Sequence, residues 1–286
     1  MASLNEIKKR IKIIESTSKI TNAMKLVSSA KLKKQKELFL NESIYYKKFY
    51  DLFTYIKSNS DSEILSLKKS EEGKTIWLAF FSSMGLCGSF NLNIVKELQK
   101  HIKSNDEIWL IGKKGKNLIK SKGIEAEISL DLELDDKDIN FDLFHIIAEN
   151  LLAKYKNDYN IKSIKVIYSK FVNSLSFTPS VFSLLPLDKA IEKPRLDKPN
   201  NGADFSIQPN ANDVFESILI DYLATCIHGA IVESKVCENA SRRNAMDSAT
   251  KNANELIKNY KLEFNRKRQS EITQEITEIV SGAKGE

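Results

Sequence analysis

The chain has 286 residues, 42% hydrophobic and 29% charged, which supplies a sizeable core for one or two domains and excludes disorder of the whole. With 10 Gly and 5 Pro, none before Gly73 and all five Pro between Pro179 and Pro209, it lacks the turns that an all-β fold needs roughly every 8 to 12 residues. The net charge of +6 is uneven, with 13 Lys/Arg against 5 Asp/Glu in residues 1–60, 9 against 5 in residues 233–268, and ten Asp/Glu against four Lys in residues 121–160.

In chain order, Leu4, Ile7, Ile11 and Ile14 step by three and four, the seam spacing of a coiled-coil helix. Ser16, Thr17 and Ser18 interrupt this stripe. Ile20, Met24 and Val27 resume it on a neighbouring face ahead of Lys31–Lys36, and one helix from about Ser3 to the Ile56 region fits the pattern. The run Ile76–Phe81, six residues and the longest apolar one, reads as a buried strand and falls far short of the roughly 18 that a membrane span needs. A Gly-containing loop follows it, then the helical pattern Ile94, Leu98, Ile102. Glu107–Ile111 reads as a second strand, Lys113–Lys120 and Phe141–Tyr155 as helices, and Ile164–Tyr168 as a third strand. Strands alternating with helices predict βαβ units and a mainly parallel, Rossmann-like sheet.

The Pro-rich stretch then returns the chain to a last helix from about Asn212. Its apolar face runs through Phe215, Ile218, Leu219, Tyr222, Leu223, Ile227 and Ile231. From Ala245 the stripe thins to Ala249, Ala253, Leu256, Tyr260, Phe264, Arg268, Ile272, Ile276 and Ile279, nine steps over 34 residues, or about 3.8 per step. Unbroken, these 70 or so residues would form a rod of about 105 Å, which needs a partner along its length. The predicted architecture is an antiparallel coiled coil of residues 1–58 and 210–286, with an α/β base domain, residues 74–209, inserted between its arms. Gly229 is expected to mark close packing within the last helix and not a break.

The basic arms suit nucleic acid, anionic lipid or an acidic protein partner, or simply Lys-rich solvated helix faces. Three Cys (Cys87, Cys226, Cys237) without CxxC spacing and three scattered His (His101, His145, His228) predict neither disulfides nor structural zinc. An N-terminus with no apolar h-region, and with Glu6 and Glu15 among its lysines, reads as a chain made and used in the cytoplasm. Met84-Gly85-Leu86-Cys87-Gly88-Ser89 has the place of a phosphate loop but neither GxGxxG nor GxxxxGK[ST] spacing, so a tight strand-to-helix turn is expected. Gly112–Lys116 likewise reads as a turn opening a basic helix. Cys87 has no His in a motif with it. The acidic run Asp131, Glu133, Asp135, Asp136 and Asp138 lacks the Gly and closing Glu of a calcium loop and is read as a solvated flexible loop. No enzyme signature, cofactor or metal site emerges. Arg268 is the anomaly: a guanidinium on an apolar stripe calls for an acidic partner or a water-filled groove. Beyond it Ile272–Val280 ends the chain as an amphipathic tip suited to insertion into a partner.

These arms resemble the gamma subunit family of F-type ATP synthases. The resemblance rests on Ile7-Lys8-Lys9-Arg10-Ile11, Thr17-Ser18-Lys19-Ile20-Thr21-Asn22-Ala23-Met24 and Ser29-Ala30-Lys31 in the first arm. In the last arm it rests on Ala245-Met246, Ala249-Thr250, Asn265 and Arg268-Gln269 through Ser281-Gly282. Weaker matches lie between, at Gly85-Leu86-Cys87-Gly88 and Tyr168–Asn173, whereas Ser83-Met84 and Arg243-Asn244 depart from the family pattern. The resemblance implies a non-catalytic central rotor whose coiled coil turns inside a hexamer of alternating alpha and beta subunits, coupling ion-driven rotation to changes in nucleotide affinity. It implies further contacts with the epsilon subunit and the membrane ring of c subunits, and a peripheral place on the cytoplasmic face of the cell membrane. Arg268, Gln269, Thr273, Glu275 and Glu278 would meet loops of the catalytic subunits, and Arg242 and Met24 would belong to the coupling region. The alternatives are the shaft of a paralogous rotary ATPase with another mechanical output, a coiled-coil nucleic-acid binder, or a nucleotide-binding α/β enzyme using Gly85–Ser89.

Overall fold

The computed structural model describes residues 3–61, 72–134, 139–187 and 207–283. The chain divides into two compact units, Met1–Ala30 with Arg242–Glu286, and Lys31–Ser241. Its elements are α1 (Leu4–Ser58), β1 (Lys74–Phe80), α2 (Phe90–Gln99), β2 (Glu107–Ile111), α3 (Gly115–Ser121), β3 (Glu127–Leu132), α4 (Phe141–Asn157), β4 (Ile161–Phe171), β5 (Phe177–Leu185) and α5 (Ala211–Ala283). Both long helices contribute residues to each unit.

In the second unit, the described strands form one sheet in the order β3-β2-β1-β4-β5. β1 pairs parallel with β2 and β4, β2 parallel with β3, and β5 antiparallel with β4. The expected mainly parallel sheet is therefore present, with its order reversing beside β1 as in doubly wound folds. The central runs are apolar on both faces because both faces are covered. Ile76, Leu78 and Phe80 pack in one core with Phe53 and Ile56 of α1, Phe144 and Leu151 of α4, and Phe215 and Leu219 of α5. Trp77, Ala79 and Phe81 pack in the other with Phe90, Ile94 and Leu98 of α2 and Ile119 of α3. The richest 18-residue window of α5 has a mean hydropathy of 1.4, yet 56% of it is buried inside the protein, as suits a core helix.

Both edge strands correct the sequence reading. In β3 only Ile128, Leu130 and Leu132 are half-buried, alternating with exposed Glu127, Ser129 and Asp131, so the strand's period is hidden beneath its acidic residues. Asp131 lies in this strand and not in a flexible loop; it accepts a hydrogen bond from Lys116 Nζ at 2.7 Å, and Glu133 pairs with Lys113 at 3.3 Å. Asp135, Asp136 and Asp138 lie outside the described residues, as do Pro194 and Pro199. β5 occupies the start of the Pro-rich stretch, with Pro179 opposite Ser169; an edge strand tolerates Pro because an outward amide has no ladder partner to lose. α5 passes through Gly229 unbroken, and a Cβ there would lie 3.2 Å from the Tyr46 ring, so the glycine marks close helix approach as expected.

Glu107 is an acid set into the sheet. Its side chain is 3% exposed, 3.2 Å from Lys74 Nζ, and accepts hydrogen bonds from Lys154 Nζ and from the Trp109 indole at 2.9 Å. Burial alone would raise its pKa, but the bonds from Lys154, Trp109 and Ser129 prevail and hold it down at about 2. A folded value below the unfolded one means stability present above about pH 4.5 and lost as the pH falls toward 2. Glu107→Gln is expected to cost about 1–2 kcal/mol at neutral pH, because the half-buried ammonium groups of Lys74 and Lys154 lose the buried carboxylate they share. It should also flatten the acid limb between pH 4.5 and 2 in urea titrations against pH; an unchanged limb would contradict the assignment.

In the first unit, Ser3 and Glu6 close a capping box at the start of α1, each side chain accepting from the other's backbone N–H at 3.2 and 2.8 Å respectively. Covered positions then recur at Leu4, Ile7, Ile11, Ile14, Ser18, Thr21, Lys25 and Ser28, alternating steps of three and four. The seam therefore does not move to the face of Ile20 and Val27, which are 60% and 58% exposed. Polar residues continue it at Ser18, Thr21 and Lys25, each of which has a partner across the pair. Ser18 Oγ donates to Asn254 Oδ1 at 2.8 Å, the Thr21 and Thr250 hydroxyls meet at 2.8 Å, and Lys25 pairs with Asp247 at 2.6 Å. Partner numbers fall on α5 as they rise on α1, so the two helices are antiparallel. On α5 the covered face is Ala253, Ile257, Tyr260, Phe264, Lys267 and Glu271, five steps over 18 residues. An apolar pattern advancing by about 3.8 drifts off that face; Leu256 is 47% exposed, and Arg268 is exposed and not on the stripe.

Candidate functional site

The sequence-derived partner residues fall into two groups on the first unit. Arg268, Gln269, Thr273, Glu275 and Glu278 are all exposed near the C-terminal end of α5. The α-helical period brings Gln269 and Thr273 one turn apart on one side, and Thr273 Oγ1 donates back to Gln269 O at 2.8 Å. Glu278 accepts from Gln274 Nε2 at 3.0 Å. Around them Ile272, Ile276 and Ile279 are 46%, 56% and 70% exposed, so apolar and charged groups share an uncovered helix end.

Met24 and Arg242 form the second group, half-buried and 5% exposed respectively. Sequence reasoning missed the ion pairs of the neighbouring Lys25 and Asp247. Asp247, five residues beyond Arg242, binds Lys25 at 2.6 Å and Lys251 at 2.8 Å. Hydrogen bonds from Lys25 and Lys251 hold its carboxyl down at about 2, so it stays ionised throughout the physiological range. The only sequence signal was the Asp247/Lys251 spacing of four, which gives no hint of Lys25. Arg242 and Arg268 are separated by about 40 Å of helix at 1.5 Å per residue, so the two groups do not form one site.

In the second unit, the loop Met84–Ser89 makes the strand-to-helix turn expected of it. Leu86 and Gly88 take left-handed backbone angles of φ 60 and 57. The loop is tied down by its own neighbours, with Asn91 Oδ1 accepting from Ser82 N at 2.9 Å, Asn91 Nδ2 donating to Ser82 Oγ at 2.7 Å and Ser241 Oγ donating to Cys87 O at 2.6 Å. Cys87 is 4% exposed, and its sulfur faces Ser82 and Asn91, neither of which is a base. A depression of about 530 Å³ lies over this loop, flanked by Lys114 and Asn117. Among the described residues, no group of three His, Cys, Asp or Glu is placed to hold a metal ion.

The chain matches the ATP synthase family model over residues 3–285, which makes it a component of an ATP synthase. It is 40% identical to the ATP synthase gamma chain of Ureaplasma parvum serovar 3 over 98% of this chain and 99% of that one, and 35% identical to that of Mycoplasmoides gallisepticum over 99% of each. Its fold is similar to a chain of the Euglena gracilis mitochondrial ATP synthase OSCP/F1/c-ring assembly, with a TM-score of 0.69 at 14% identity over 99% of this chain and 94% of that one. It is also similar to a chain of the Tetrahymena thermophila mitochondrial ATP synthase central stalk/c-ring, with a TM-score of 0.60 at 22% identity over 80% and 99%. The chain belongs to the ATP synthase gamma chain family.

Proposed function

We propose that this chain is the central rotor of an F-type ATP synthase, with residues 1–58 and 210–286 as its shaft and residues 74–209 as its base. The observation that carries this reading is α5, 73 residues of uninterrupted helix whose C-terminal end leaves Arg268, Gln269, Thr273, Glu275 and Glu278 exposed beside uncovered isoleucines. A helix end of that composition is suited to a sleeve of other subunits. Rotation then presents different faces of the shaft to three catalytic subunits in turn. Only such differential contact shifts their nucleotide affinities, since a ligand that meets all states alike shifts none. Nucleotide chemistry belongs to the alpha/beta hexamer, and the chain has no active site of its own. The epsilon subunit and the ring of c subunits meet the base, placing the chain peripherally at the cytoplasmic face of the cell membrane. The basic arms face acidic segments of the hexamer and not nucleic acid.

Purification through this chain is expected to recover alpha and beta subunits in threefold excess, with ring subunits visible by native mass spectrometry, while the isolated chain hydrolyses no ATP. A stable monomer that ignores the hexamer would overturn the proposal. A complex holding alpha and beta subunits but no ring would favour a rotary relative with another mechanical output.

A further inference from the structure

In the second unit, a cavity of about 370 Å³ opens between α1, α5 and Ile139 ahead of α4. That volume lies within the range of small-molecule sites. Its two ends differ in chemistry. At one end stand Lys31 and Lys34 of α1 and Lys235 of α5, the last 5% exposed and 3.0 Å from Glu238. At the other stand Glu42 and His228. Leu38, Val232 and Ile139 form an apolar middle. Seven residues of α5 separate Lys235 from His228, or about 10 Å.

The proton arrangement at the far end follows from counting hydrogens. The Tyr46 hydroxyl lies 2.8 Å from Glu42 Oε2 and 2.5 Å from His228 Nδ1. A carboxylate only accepts, so the single hydroxyl proton goes to Glu42. The imidazole must then carry its own proton on Nδ1 and donate it to the Tyr46 oxygen. Burial, helped by the Phe141 and Phe144 rings 6.0 and 5.5 Å away, favours the neutral ring over the pull of Glu42. Nε2 is left as a hydrogen-bond acceptor of fixed orientation, because Tyr46 and both phenylalanines hold the ring.

We propose that this cavity binds a small organic anion, with its carboxylate, sulfonate or phosphate ester at Lys31, Lys34 and Lys235, a short apolar body against Leu38, Val232 and Ile139, and a hydrogen-bond donor at its far end offered to His228 Nε2. The lysine end recognises the charge, Glu42 excludes a reversed orientation, and the length of the apolar middle selects ligand size. None of this depends on contact with the nucleotide-bearing hexamer.

The probe is 8-anilino-1-naphthalenesulfonate, which carries a sulfonate, an aromatic body and an N–H, titrated by fluorescence into the full chain. One binding class is expected whose affinity falls at least tenfold in the exposed-site variant Lys31→Gln/Lys34→Gln and about fivefold in His228→Phe, which keeps the ring packing but not the acceptor. Tyr50→Ser, in the separate aromatic groove beside Tyr222, should stay within twofold. Equal affinity in the lysine variant, or an equal loss in Tyr50→Ser, would overturn the proposal. Soluble hexyl phosphate should displace the probe. Displacement by phosphatidylglycerol vesicles but not by hexyl phosphate would assign these lysines to a membrane surface and also overturn it.

Discussion

A complex reconstituted with Arg268, Gln269 and Thr273 all changed to Ala is expected to lose coupled ATP turnover by about 30-fold or more, while the chain keeps its melting temperature within about 2 °C. All three side chains are exposed, and the one hydrogen bond of Thr273 returns to its own helix backbone. Surface truncations of this kind usually change stability by no more than about 0.5 kcal/mol each. Their contribution arises at the partner surface. An interface Arg commonly accounts for 2 kcal/mol or more, which with about 1.4 kcal/mol per tenfold change sets the expected loss. The comparison is ATP hydrolysis and gradient-driven synthesis against calorimetry of the chain alone. Unchanged turnover would remove these residues from the coupling surface; a collapsed melting temperature would show that they act on the fold instead.

The largest stability effect is expected at Gly112, where Ala should cost about 3 kcal/mol or more. Its φ of +110 is one that side chains rarely adopt, and an added Cβ would lie 2.1 Å from the Phe81 carbonyl oxygen. The neighbouring backbone cannot yield cheaply. Phe81 N donates to Ile111 O at 2.7 Å and Gly112 N donates to Leu132 O at 2.8 Å, so relief of the clash pulls apart the ends of three strands at once. Gly85→Ala is the matched control, because a Cβ there meets nothing within 4 Å and its φ is ordinary. Urea midpoints should fall sharply for the first and hardly move for the second; a loss below about 1 kcal/mol at Gly112 would contradict the clash.

The centre of the fold was legible where burial is two-sided. Ile76–Phe81 and Glu107–Ile111 are apolar runs because helices cover both faces of the sheet, and a helix-spaced pattern between them leaves little choice but a parallel pairing. The edges were not. β3 shows a period of two only once Glu127 and Asp131 are set aside, and Pro179 disguises β5, since an edge strand obeys weaker rules than a central one. In the arms, a search for apolar residues followed Ile20 and Val27 onto the wrong face. The heptad spacing had continued through Ser18 and Thr21, whose partners on α5 lie more than 220 residues away and leave no mark in local pattern. The same drift put Arg268 on the stripe, although its exposure still suits partner contact. The Lys25–Asp247–Lys251 and Glu42–Tyr46–His228 constellations join distant segments, and spacing alone does not reveal such meetings.

The polar seam of the first unit has a mechanical consequence. Two helices joined only by Leu and Ala side chains can slide along one another by small amounts, because dispersion contacts are non-directional and re-form after each displacement. Ser18–Asn254, Thr21–Thr250 and Lys25–Asp247 are directional, stand at successive steps of the seam and would all have to break together for a slip of one residue. They behave as meshed teeth. An axial or twisting load applied to either helix is handed across at these three levels, so the pair deforms as one stiff member where a greasier seam would creep.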